Sequence, residues 1–140
     1  MKSVVVLDTN ILLDILVFDD QRVHPLRAAL THSLVDAVAT KRTIDEFIDV
    51  IGRVQFALNA EQQFEIASQW KSWARIVDDA EVLLAPWKCK DRDDQIFINL
   101  AYTLRPSTLL SKDKQVLKIA KRAIKENIVI TSDHEKFLLA

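Results

Sequence analysis

One glycine in 140 residues is the feature that most narrows what this chain can fold into. With Gly52 alone, no phosphate-cradling loop of the Walker or dinucleotide type can form, because both need several glycines where backbone approaches phosphate. P-loop nucleotide hydrolases and Rossmann dehydrogenases are thereby excluded. An all-β sandwich with many tight turns is disfavoured for the same reason. Hydrophobic residues at 49% suffice for a packed core. Lys+Arg 19 against Asp+Glu 20 leaves a formal charge of -1, so any contact with a polyanion must come from local patches or from a bound cation. Cys89 is the only cysteine, which removes internal disulfides and four-cysteine zinc sites. The start MKSVVVLD is too short an apolar run for a signal peptide, and no stretch of eighteen apolar residues follows. The expectation is a single cytoplasmic domain over residues 1–140, with no membrane segment.

Residues 4–7 are continuously apolar, as in a central parallel strand buried on both faces, and the run stops at Asp8-Thr9-Asn10. Residues 11–16 read as helix and 33–39 as a second strand. From Thr40 the spacing of Ile44, Phe47, Ile48 and Ile51 is helical. Residues 60–76 read as a longer helix with Phe64, Ala67, Trp70 and Ala74 on one face, and 91–104 repeats the pattern with Ile96, Phe97, Leu100 and Ala101. A strand (107–110), a helix (114–125), a strand (128–130) and a short helix to Leu139 complete the chain. This alternation predicts an α/β fold, a three-layer α/β/α sandwich around a mostly parallel sheet.

In such sheets ligands bind beyond the carboxyl ends of the strands. The residues that fall there are acids. Asp8 follows the first strand, Glu46 lies early in the helix after the second, Asp91, Asp93 and Asp94 crowd a helix start, and Asp113 follows Leu109-Leu110. Two carboxylates 4 Å apart repel by roughly 4 kcal/mol at an effective dielectric of 20. A hard divalent cation, Mg²⁺ or Mn²⁺, is the usual relief, and it also draws phosphate to an acidic pocket. Metal-assisted hydrolysis of a phosphodiester is the chemistry then available. Each acid also has a plainer role as a helix cap: Asp8, Asp91 with Asp94, and Asp113 all stand at helix starts, and Glu46 could serve as an N3-type acid after Thr43. Capping gives no reason for several acids to gather beyond one sheet edge. Ser132-Asp133-His134-Glu135, by contrast, fits a capping box and is assigned to capping.

The blocks VVVLDTNILLDIL, EFIDVIGRVQF, CKDRDDQIFINLA and LLSKDKQVL, in that order, resemble the PIN-domain nucleases, in particular the toxin components of bacterial toxin–antitoxin systems. The resemblance implies a metal-dependent endoribonuclease whose acidic quartet is Asp8, Glu46, Asp94 and Asp113, holding one or two Mg²⁺ or Mn²⁺ ions. Asp91 matches a frequent additional acid, Asn10 the Asn of the D-x-N block, and Ser111 the Thr or Ser before the fourth acid. Gln95 and Gln115 depart from the pattern, standing where relatives often carry Asp or Asn. The resemblance also implies an RNA substrate, an antitoxin partner and a homodimer. The candidate surface for such contacts is the 60–76 helix, where Ile66 and Trp73 lie away from the Phe64/Trp70 face.

Arg53 and Lys112 flank the expected site and are candidates for RNA phosphate, with Lys41 and Arg42 on the approach. Trp70, Trp73 and Trp87 could line an apolar groove for a partner; Trp70 is expected in the core, and Trp73, off the Phe64/Trp70 face, is the better groove candidate. Cys89 reads as a small buried apolar residue rather than a nucleophile, because no histidine is placed to activate it. Two rival readings exist. A phosphatase of the haloacid-dehalogenase type needs D-x-D where this chain has Asn10 and a late glycine that Gly52 cannot supply. A catalytically silent PIN-like scaffold needs no acids, and the intact quartet speaks against it.

Overall fold

The computed structural model describes residues 2–135. The elements run β1 (Ser3–Leu7), α1 (Thr9–Leu16), α2 (His24–Thr31), β2 (Val35–Thr40), α3 (Lys41–Ile51), α4 (Ala60–Trp73) and β3 (Arg75–Val77). They continue with α5 (Arg92–Thr103), β4 (Ser107–Leu110), α6 (Lys114–Leu117), α7 (Ala120–Ala123) and β5 (Ile128–Thr131). The sheet order is β3-β2-β1-β4-β5 with every pairing parallel, so β1 is central. Val5, Val6 and Leu7 are at most 2% exposed, which is why this strand carries no polar alternation. Side chains alternate between faces. Val5 and Leu7 pack with residues of α1 to α4, whereas Val4 and Val6 pack with residues of α5 to α7. The result is an α/β/α sandwich. Among the described residues no helix is long and apolar enough to cross a membrane.

β1, β2 and β4 each hand over to a helix at the same edge, and caps mark the transitions. Asp8 Oδ1 accepts the Ile11 N–H at 3.0 Å, ending β1 and opening α1. Thr40 and Thr43 cap α3 reciprocally, each side chain accepting the other's backbone N–H. Gly52 closes α3 with an ordinary φ of -79°. The left-handed turns fall instead to Asp19, Ser33, Ala57 and Asn127, so the lone glycine is not spent on a turn that demands it.

Four expectations need correction. The 60–76 helix ends at Trp73: Ala74 turns extended, and Arg75–Val77 pairs with Val38–Thr40 as an edge strand. Arg75 Nη2 meets Asp36 Oδ2 at 2.8 Å, an ion pair that fastens this edge. On α4 the inward face is Ile66, Ala67, Trp70 and Trp73, a proper helical stripe that leaves Phe64 outside and 72% exposed. Trp73 is thus half-buried, with the Arg27 guanidinium 5.7 Å from its ring centre, and Trp87 is buried edge-on to Tyr102. Ile48, expected on the buried face of α3, is 37% exposed, and Val50 is buried instead. The 114–125 helix is divided, because Ile119 and Arg122 bond three residues back, while Val116, Ile119 and Ala123 keep one buried face throughout. The structure adds α2, for which the sequence reading has no element; Pro25 sits in its first turn and Leu26, Ala29 and Leu30 face inward. The expected last helix, to Leu139, lies largely outside the described residues.

The orientation of α4 can be tested directly. Trp70→Ala should lower stability by about 3–5 kcal/mol, as expected for a large buried aromatic. Phe64→Ala should change it by no more than about 0.5 kcal/mol, as at an exposed position. Urea denaturation of both variants measures the contrast, and equal losses would mean that α4 is turned the other way.

Candidate functional site

Five acids lie along the carboxyl edge of the sheet, supplied by four separate elements. Asp8 follows β1 and is 2% exposed. Its Oδ1 caps α1, and its Oδ2 accepts the Ser111 hydroxyl at 2.5 Å. Ser111, buried just after β4, also accepts the Asp113 N–H at 3.1 Å. One hydroxyl therefore ties the first acid to the loop that carries the last. Asp113 opens α6, its Oδ1 accepting the N–H groups of Gln115 and Val116 at 2.7 and 3.3 Å. Asp91 opens α5 by accepting the Asp93 N–H at 3.0 Å.

Asp94 is different. It lies in the first turn of α5, yet its carboxylate makes no capping hydrogen bond among the described residues. Carboxylate oxygens of Asp91, Asp94 and Asp113 all lie within 4.8 Å of one another. Burial, and then repulsion from Asp113, Asp91, Asp8 and Glu46, pushes the Asp94 carboxyl up to about 7. Asp8 is raised as well, first by burial, with the Ser111 and Ile11 hydrogen bonds opposing. Such crowding, with no Lys or Arg ion-paired to Asp91, Asp94 or Asp113 among the described residues, is what an all-oxygen donor set for a hard divalent ion looks like. The residues present fit one.

The three-acid cluster does not include Asp8 or Glu46. Asp8 stands beside it through Ser111. Glu46, on the second turn of α3, accepts a long hydrogen bond from the Thr9 hydroxyl at 3.5 Å and shares a surface depression with Arg42, Arg92, Asp93 and Ile96. Burial and then Asp93 raise its carboxyl. The capping role weighed for Glu46 falls away, because Thr40 and Thr43 already cap α3. The Asp91/Asp94 box is half made: Asp91 caps, and Asp94 does not reach back.

The remaining candidates are placed as follows. Asn10 is exposed at the second position of α1, and no hydrogen bond joins it to the acids among the described residues. Lys112 is held by Asp14 at 2.5 Å. Asp14 was not singled out in the sequence, although a lone acid among Ile11, Leu12, Leu13 and Ile15 was a signal of a buried partner. Arg53 meets Asp49 across an exposed 3.4 Å pair. Cys89 is buried near Asp91, and burial raises its thiol, which keeps it protonated and unreactive. Gln95 is a second residue whose role the sequence did not show. It stitches the loop before α5 to the helix, donating to the Trp87 carbonyl at 3.0 Å and accepting the Cys89 N–H at 2.5 Å.

Compared with known families, residues 4–115 fit the family model described as PIN domain. No curated protein matches the chain.

Proposed function

The chain belongs to the PIN-domain family, a family of nucleases that generally work with divalent metal ions, and on that premise we propose that it is a metal-dependent endoribonuclease. The observation that carries the reading is the approach of the Asp91, Asp94 and Asp113 carboxylates to within 4.8 Å of one another at the carboxyl edge of the sheet. With Asp8 adjoining, these residues would hold Mg²⁺ or Mn²⁺. A cation bound there supplies an activated water and charge stabilisation for in-line phosphodiester hydrolysis. The protein's own part is positional. Ser111 fixes the Asp8 carboxylate and the Asp113 backbone together, and the Lys112–Asp14 pair straps the loop after β4 to α1. Glu46 completes the proposed quartet from α3, on the side where Arg42 and Arg92 stand. Asn10 keeps the supporting role that the family pattern suggests, and Arg53, flanking the site, that of an RNA phosphate contact. The finer role, as the toxin of a toxin–antitoxin pair with an antitoxin and a second copy as partners, rests on the resemblance of the four sequence blocks.

Purified protein should cleave RNA in Mn²⁺ or Mg²⁺, stop in EDTA, and resume when the ion is restored. Cleavage that persists undiminished in EDTA, or none with any divalent ion, would contradict the proposal.

A further inference from the structure

An acidic pocket repels a phosphodiester chain, so a substrate entering it must be gripped from outside. Beside Glu46 the surface continues as a groove of about 640 Å³ along α5 and the loop before it, with Arg42 and Arg92 common to both. Arg42, Lys88, Lys90 and Arg92 line this groove; all four are exposed, and none is in an ion pair among the described residues. The acid in the groove, Asp79, accepts the Arg42 backbone N–H at 3.1 Å. Leu84, 85% exposed, and the half-buried Ile96 add apolar surface between the cations. The loop that carries Leu84, Lys88 and Lys90 has little regular structure, yet it is fixed in place. Gln95 holds it at Trp87 and Cys89, and Asn99 Oδ1 accepts the Ala85 N–H at 2.9 Å.

We propose that this groove seats single-stranded RNA on the approach to the acids, with Arg42, Lys88, Lys90 and Arg92 on successive phosphates and Leu84 and Ile96 against base faces. Cations interleaved with apolar surface match a single strand, which exposes both phosphates and bases. A duplex offers that surface its phosphates alone. The nuclease reading supplies the identity of the chain that enters the pocket, while the groove itself is tested by binding without cleavage.

Fluorescence anisotropy of a labelled RNA strand of roughly ten nucleotides, within the usual site sizes for single-strand grooves, is measured in EDTA over a range of salt. Lys88→Glu/Lys90→Glu should bind at least tenfold more weakly, and the slope of log affinity against log salt should fall by about 1.4, two phosphate contacts at roughly 0.7 each. Arg42→Glu, on a different element, should shift affinity the same way. Lys125→Glu, at the opposite edge of the sheet just before β5, should bind like the parent. A double variant with the parent's affinity and salt slope, or a duplex bound as tightly as the strand, overturns the groove. A parent that binds with this salt dependence but cuts nothing in Mn²⁺ keeps the groove and removes the nuclease reading. RNA cut by the parent and bound equally well by the double variant removes the groove alone.

Discussion

Asp94→Asn should lose at least about a hundredfold in cleavage rate while the metal-free protein becomes more stable. The first effect follows from removing a proposed ligand charge, since even outer partners of metal ligands are worth 10–100-fold. The second follows from the crowding of the acids. The Asp94 carboxyl stands at about 7 in the fold against 3.8 in a free side chain, because burial and four neighbouring acids disfavour its charge. A group with a raised folded value contributes stability fully below its unfolded value and loses it as pH rises through the folded one. Metal-free parent should therefore weaken from about pH 4 to above pH 7, and the Asn variant should escape that part of the decline. At pH 8 a gain of about 1 kcal/mol, discounted because the carboxyl is only half-buried, corresponds to roughly 3–4 °C for a chain of this size. Thermal melts at pH 5 and pH 8 measure it. A variant that melts lower than the parent at pH 8, or that cuts as fast in Mn²⁺, would remove Asp94 from the centre of the site.

Divalent ions should reverse the same effect, with a marked pH dependence. A ligand present at 100 times its Kd stabilises by about 2.7 kcal/mol, so Mn²⁺ should raise the melting temperature by several degrees at pH 8. Below pH 7 the ion must displace the Asp94 proton, and affinity should fall about tenfold per pH unit for one coupled proton. Because the carboxyl is already half protonated at pH 7, the apparent Kd should rise roughly 15-fold between pH 7 and pH 5.5. Calorimetry at pH 6 in buffers of different ionisation heat should show about one proton released per ion bound. Affinity that is flat over this range would mean that the ion binds elsewhere.

The parts of the fold legible in the sequence are those where one local signal acts alone. β1 is a run of apolar residues with no polar alternation, and Asp8, Asp91 and Asp113 stand where a helix needs a cap. What escaped notice was set by distant partners. β3 reads as more of α4 until Asp36, nearly forty residues earlier, pairs with Arg75 and pulls the chain into the sheet. Phe64 and Trp70 look like one face until the stripe that packs on the core is known to run through Ile66 and Trp73. The acids at the strand ends were legible because parallel topology sends every strand to one edge. Their division, with Asp91, Asp94 and Asp113 in one cluster and Glu46 beside Asp93, depends on side-chain directions that spacing does not contain. Gln95 resembled only a departure from a pattern, although it fastens a loop.

Three of these acids serve the helices as well as the pocket. Asp8, Asp91 and Asp113 each give an oxygen to backbone N–H groups at a helix start, and Asp94 does not. An alanine scan of the site would therefore mix two losses, since replacing a cap by Ala costs about 1 kcal/mol by itself. Asparagine caps as well as aspartate, so it isolates the charge. The same division bears on descent. A lineage that abandoned the chemistry would still be held to Asp or Asn at positions 8, 91 and 113 by the need to begin α1, α5 and α6. Three intact acids are thus no warrant of activity in a relative, and position 94, which no helix start constrains, is where working and silent descendants of this fold would part.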